Sequence, residues 1–333
     1  MQKMSPSAGI YPPKSQVSHM TWFKKAIGYR ITDTPDLSPA TLQAAMASKL
    51  ARQPANDELS TYGFATPLPQ VDGVKSNVLA HPCGSGILIC AEKWIRKPPA
   101  KAVDKELDAQ VLKIEQEHGR KVKGNERREM KAAIISAMLP NLLPECRHTT
   151  ALILPSDGLI IVDTVNPAVA EDLLSTLREV LGSLPVRPLR TTTSPTVAMT
   201  TWLKEGQAPE GFTLLDSAVL VGEAEDKGTK PKANLSKMDL TSDEVQLHIS
   251  TGKKAAKLAL AWTDKVFLKL TDKITIESIK LTDVMMNDVL QANGEGEALQ
   301  HFDGSMTIMA GTLRDLFKGV LVALGGEEMP KAA

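Results

Sequence analysis

Between residues 118 and 131, six cationic side chains stand against two carboxylates. Arg120, Lys121, Lys123, Arg127, Arg128 and Lys131 face Glu126 and Glu129, a net of +4. Residues 101–117 carry Lys101, Lys105 and Lys113 against Asp104, Glu106, Asp108, Glu115 and Glu117, a net of −2. Lys and Arg gathered this way can hold the phosphates of a nucleic acid or meet an acidic protein surface. A solvated helix junction is the plain alternative, because charge runs are commonly solvated faces. A second cationic group, Lys253, Lys254 and Lys257, follows near the C-terminal third. The whole chain is neutral, with 39 basic and 39 acidic side chains among 333 residues, so a polyanion has to be held by such local asymmetry.

Catalytic and cofactor signals are weak. Gly84-Ser85-Gly86 resembles the start of a dinucleotide loop, but Ile89 stands where the third glycine belongs, and the glycines precede a strand instead of following one. No Walker A lysine motif, GxSxG elbow or HExxH pair is present. The reading is therefore of a protein without a cofactor and without catalysis of its own. His81-Pro82-Cys83 offers two metal ligands with no second pair beside it. Asp157 is explained by turn chemistry. A metal-dependent nuclease could assemble separated carboxylates such as Asp163 or Asp303, and is kept as an alternative. The three cysteines, Cys83, Cys90 and Cys146, form no CxxC pair, which fits a reducing, cytoplasmic setting.

The elements that must position these groups read as follows. Residues 1–19 are polar and rich in Pro and Ser, and are expected to be a disordered leader. Residues 22–32 suit a strand, and Ser38-Pro39 opens a helix. Residues 52–77 read as loop, and 86–91 as a buried strand. Val103, Leu107, Val111, Ile114 and His118 form one helical stripe, with His118 expected to be half buried. Gly124 then interrupts, and Asn125 is expected to cap a second helix lined by Met130, Ile134 and Met138. The result is a helical hairpin with a basic bend.

Beyond it, 149–154 and 159–163 form a strand hairpin turned by Asp157-Gly158, and Asn166-Pro167 starts a helix that Gly182 ends. A short helix around Trp202 and a strand at 212–221 precede a loop at 223–238. Thr241-Ser242-Asp243-Glu244 reads as a capping box, followed by a meander over 258–262, 266–270 and 274–281. The last helix carries Leu313, Leu316, Phe317, Val320, Leu321 and Leu324 on one wide apolar face, and Gly325-Gly326 stops it. Antiparallel hairpins dominate, so the expected class is α+β, with several antiparallel sheets and packed helices. The expected parts are the leader 1–19, an N-terminal α+β part 20–100, the basic hairpin 101–140, a strand-hairpin and helix part 141–190, and a C-terminal α+β part 191–333.

Several phrases in order resemble the recombination-associated protein RdgC family. They include Trp22-Phe23-Lys24-Lys25 with Tyr29-Arg30, Ile89-Cys90-Ala91, Leu139-Pro140, Gly158-Leu159-Ile160 with Val162-Asp163, and Leu181-Gly182-Ser183-Leu184-Pro185. The most specific are Asp239-Leu240-Thr241-Ser242 with Glu244, and Gly252-Lys253 running through Lys257-Leu258-Ala259-Leu260 to Trp262. The resemblance covers about residues 20–328. It implies an elongated, curved protomer in a ring-shaped homodimer that encircles double-stranded DNA in the nucleoid and modulates RecA-dependent recombination. Carried over by position, Arg120, Lys121 and Lys123 match the family's basic bend, Lys237 a lysine before Asp-Leu-Thr-Ser, and Lys253 the lysine after glycine. Arg127, Arg128, Lys254 and Lys257 extend these groups along the chain. The sequence departs from the pattern at Asn141 and Leu143, where relatives can show a basic residue and a phenylalanine, at Met238, and at Glu92, where a basic residue can occur. Leu143 is therefore expected to contact DNA apolarly at most. The second reading is a module that meets a recombinase directly.

Overall fold

The computed structural model describes residues 22–33, 35–70, 76–223, 230–293 and 298–328. The leader expected at 1–19 lies outside them. In chain order the described residues form β1 (Ala26–Ile31), α1 (Pro39–Ala47), β2 (Ser60–Ala65), β3 (Ala80–Cys83), β4 (Gly86–Ile95), α2 (Ala100–His118) and α3 (Gly124–Met138). There follow β5 (Glu145–Leu154), β6 (Leu159–Val162), α4 (Pro167–Leu181), β7 (Val186–Pro188), α5 (Pro195–Glu205) and β8 (Phe212–Val221). The last part holds β9 (Lys232–Ser236), α6 (Asp243–Ser250), β10 (Lys254–Trp262), β11 (Val266–Thr271), β12 (Thr275–Leu281), α7 (Asp283–Asn293) and α8 (Ala298–Ala323).

The class is α+β, but the strands build one sheet where several were expected. Its order is β2-β4-β5-β6-β1-β12-β11-β10-β8-β9, with β3 on β4 and β7 on β1, and every pairing is antiparallel. β1 joins the halves. One edge takes β6 through Ile27↔Val162 to Arg30↔Leu159, and the other takes β12 through Ala26↔Ile276 and Ile27↔Thr275. Local turn signals specify hairpins. They carry nothing about a pairing between residues some 250 positions apart, so the sheets looked separate.

Two cores lie on opposite faces. Ile87, Ile89, Ala151, Ile153, Ile160 and Val162 pack with Leu42 and Met46 of α1 and with Leu173, Leu174 and Leu177 of α4. Their strand neighbours Leu88, Leu152, Leu154 and Ile161 belong to the other cluster, with Phe302, Met309, Leu313 and Phe317 of α8. Strands β4 to β6 are thus covered on both faces, which is why they read as continuous apolar runs despite antiparallel pairing. Helix α8 sits close on β1: a Cβ at Gly28 would fall 2.5 Å from Leu189 Cδ1 and 2.7 Å from Phe317 Cε1. The wide apolar face of α8 is used here. Leu313, Leu316, Phe317, Val320 and Leu321 are all buried in the protomer's own core.

Other expectations are corrected in detail. The loop expected at 52–77 contains β2, whose six residues pair with Cys90–Ile95 of β4, and the loop expected at 223–238 contains β9. Helix α7 had no signal strong enough to be read. Ser38 and Asn166 cap α1 and α4 as expected, through acceptance from Thr41 N and Ala168 N. Asn125 is not the cap of α3: Lys123 holds that position, without a side-chain bond. The capping box at 241–244 does not form, because Thr241 turns its hydroxyl back to Asp239 Oδ1 and Ser242 stands at the cap position. His118 is exposed, since the contact between α2 and α3 ends before the bend.

Candidate nucleic-acid interface

Helices α2 and α3 form an insertion between the paired strands β4 and β5. Their shared core is small: Val103, Leu107 and Ile134 are buried, with Val111, Met130, Ile135 and Met138 half buried around them. The root is locked by Arg96, whose Nη1 donates to the carbonyl oxygens of Leu139 at 2.6 Å and Leu142 at 2.9 Å, while Nη2 donates to Pro54 O at 3.2 Å. A planar guanidinium suits three carbonyls at once in a way that a lysine could not. At the far end Gly119 takes a left-handed conformation (φ 60°), closing α2. Glu115 Oε1 accepts the N–H of Val122 across the bend.

The acidic and basic halves of the hairpin have a shared use. Asp104 pairs with Lys131 at 2.7 Å and Asp108 with Arg127 at 2.6 Å, both between the two helices. Arg120 forks onto Glu126, both oxygens at 2.7 Å, and the pair holds the guanidinium of Arg120 above and the carboxyl of Glu126 below their ordinary ranges. Exposed Lys121, Lys123 and Arg128 form no ion pair among the described residues. The surplus cationic charge of the stretch therefore collects at the bend and on the first turn and a half of α3, beside the carboxylates of Glu129 and of Glu115.

The remaining predicted residues lie elsewhere. Leu143, 90% exposed, follows the hairpin root, and the 15 residues of α3 separate root from bend by about 22 Å. The C-terminal cations lie on β10 or just before it, five strand spacings from β5, or about 24 Å along the sheet. There Lys253 Nζ lies 3.2 Å from His248 Nδ1, Lys254 pairs with Glu223 at 3.0 Å, and Lys257 reaches Glu277 at 2.7 Å. Lys257 and Lys269 line a concave surface with Ser217, Asn234, Ser236 and the carboxylate of Glu277. Lys269 was not singled out from the sequence; its place follows from the period-two alternation of β11, with Val266, Leu268 and Leu270 buried and Phe267 exposed. Lys237 is exposed with φ 55°, and the departing Met238 beside it packs against the larger core.

The two carboxylates considered for a nuclease have structural partners. Asp163 Oδ1 accepts the backbone N–H groups of Lys24 at 3.2 Å and Lys25 at 3.1 Å. Asp303 pairs with His81 at 2.8 Å.

Comparison with known proteins settles the family. The family model described as "Putative exonuclease, RdgC" matches residues 21–327. The chain belongs to the RdgC family. Among RdgC relatives, the recombination-associated protein RdgC of Pseudomonas fluorescens is 42% identical over 310 residues, covering 93% of this chain and 99% of its own length. That of Pseudomonas putida is likewise 42% identical over the same shares, and that of Pseudomonas aeruginosa 38%. The RdgC resemblance drawn from the phrases between Trp22 and Trp262 is thereby established. Those relatives are named for recombination and not for an enzymatic activity. Among the described residues of this RdgC chain, no helix is long and apolar enough to cross a membrane.

Proposed function

We propose that the protein binds double-stranded DNA through its phosphates, without sequence preference and without catalysis of its own. In this reading it acts as a ring-shaped homodimer that encircles the duplex in the nucleoid and thereby modulates RecA-dependent recombination. The observation that carries it is the division of labour in the hairpin. Arg120, Arg127 and Lys131 are engaged by carboxylates, while Lys121, Lys123 and Arg128 stand exposed and unpaired around the bend. Folding thus leaves a cationic tip that no ion pair among the described residues neutralises, on a chain whose net charge is zero. Membership of a family named for recombination supports DNA as the polyanion. Lys237 and Lys253 supply a second contact zone across the sheet, joined by Lys254 and Lys257 where a phosphate displaces Glu223 and Glu277, and two protomers present each zone twice.

Fluorescence anisotropy with two unrelated duplexes in EDTA, repeated over a range of salt, tests this. The expected result is a linear fall of log K with log salt. Combined Lys121→Glu, Lys123→Glu and Arg128→Glu should weaken both duplexes alike and flatten the slope by about 0.9 for each phosphate no longer neutralised. An unchanged slope would move the duplex to another surface. Recombinase capture by a chain that shows no DNA affinity would favour the interaction-module reading. Shortening of the duplex when Mg2+ replaces EDTA would favour a nuclease.

A further inference from the structure

We propose that Glu92, Cys146 and His148 form a binding site for a soft divalent cation of the zinc class, at the base of the helical insertion. The register of β4 and β5 sets Glu92 opposite His148 and Trp94 opposite Cys146. Residues two apart on a strand share a face, so all four side chains stand on the same side of the sheet. Glu92 Oε1 lies 3.3 Å from His148 Nε2, and Cys146 Sγ lies 3.9 Å from the same nitrogen. All three donor atoms fall within 4.8 Å of one another. With bonds of about 2.0–2.1 Å to N and O and about 2.3 Å to S, a tetrahedral zinc ion needs edges of about 3.3 Å for N–O and about 3.6 Å for N–S. The trio is close to that triangle without movement of the backbone.

Its surroundings fit a metal site as well. The Glu92 side chain is only 9% exposed, yet among the described residues no lysine or arginine is bonded to it. Trp94 Nε1 donates to Glu92 Oε2 at 2.8 Å, which orients the carboxylate and leaves Oε1 toward the histidine. Glu92 and His148 line a cavity of 620 Å³ beside α1 and β2, so an ion has a way in. The His148 side chain is 61% exposed and the ion's fourth position would face that space. Binding would release the thiol proton of Cys146 to buffer and hold the ligands as thiolate, neutral imidazole and carboxylate. The ion would tie together the two strands from which α2 and α3 emerge.

Titration of the full-length protein with Co2+ and with Zn2+ tests this. The expected result is a thiolate-to-cobalt charge-transfer band saturating at one ion per chain, displaced by Zn2+, and a rise in Tm with Zn2+. Cys146→Ser should abolish the band. His148→Ala, at an exposed position that does not threaten folding, should weaken Zn2+ affinity at least about tenfold, as should Trp94→Phe through loss of the hydrogen bond that orients Glu92. Glu92→Gln should retain the hydrogen bond from Trp94 while losing affinity. Absence of a band, its persistence in Cys146→Ser, or unchanged Zn2+ affinity in both His148→Ala and Glu92→Gln would overturn the site.

Discussion

Arg30 and Glu327, 297 positions apart, are joined side chain to side chain: Arg30 Nε donates to Glu327 Oε1 at 3.1 Å and Oε2 at 3.0 Å. Arg187 Nη2 reaches the same Oε1 at 3.0 Å, so one carboxylate serves arginines from β1 and from β7. Glu327 is 12% exposed and its partners about a fifth. This cluster fastens the chain after α8 to the strand that joins the two halves of the sheet. Glu327→Ala should lower stability by about 3 kcal/mol, the low end for breaking a buried pair, since two guanidiniums lose their anion. Denaturant unfolding checks it. A change below about 1 kcal/mol, the range of an exposed pair, would show that the cluster is solvated.

Asp163 separates a structural from a catalytic role. Burial pushes its carboxyl above the ordinary range, against the backbone N–H groups of Lys25 and Lys24, which act to lower it. Its contribution to stability is therefore full below the unfolded value of about 3.9 and declines as pH rises through the raised folded value. Asp163→Asn keeps the accepting Oδ1 and removes the charge. It should match wild type in acid and be at least as stable at pH 7, whereas Asp163→Ala should cost about 1 kcal/mol at pH 3 and less at pH 7. Urea midpoints at pH 3 and pH 7 decide. An Asn variant that is less stable at pH 7 than wild type would contradict the assignment.

Arg96 holds the hairpin root through three carbonyl oxygens. Arg96→Ala should destabilise the protein by about 2–3 kcal/mol, because buried carbonyls lose charged donors. Protection of α2 and α3 amides against hydrogen exchange should fall more than that of β4 to β6. A uniform fall across the chain would mean that the hairpin does not unfold as a separate unit.

Leu143 is nearly fully exposed at the root, away from the cationic bend. Leu143→Phe should tighten duplex binding by about 1–3 kcal/mol if DNA passes the root, the worth of an aromatic stacked on a base. Leu143→Ala should change affinity little. Loss of binding in Leu143→Ala would make the leucine itself an anchor.

Burial pushes the Cys83 thiol up to about 12 and the Cys90 thiol up to about 11. Both are buried, and Cys146 is half buried. A thiol reagent at pH 7.5 should therefore modify Cys146 first. Mass spectrometry of a brief labelling reaction checks the order, and early modification of Cys83 or Cys90 would contradict the packing around them.

Local chemistry in the chain was enough to determine most elements. The helical hairpin, the last helix, the meander from Leu258 to Leu281 and the caps at Ser38 and Asn166 rest on spacing, turn residues and side-chain reach within a few positions. The family was legible in the same way, through phrases such as Gly252-Lys253 to Trp262. Strands β2 and β9 were not, because segments rich in Pro, Gly and charge become strands only when a partner supplies the hydrogen bonds. Only the tertiary structure decided that β1 pairs with both β6 and β12, which turns separate hairpins into one sheet. It also decided where charges end up. Composition counted a net of +4 around the bend, but a charge count does not say which cations find a carboxylate. Asp104 and Asp108 reach across to Lys131 and Arg127 because α2 and α3 pack antiparallel, and this leaves Lys121, Lys123 and Arg128 to the solvent. Glu92, Cys146 and His148 likewise meet only through strand register, a relation between residues more than fifty positions apart that no local spacing encodes.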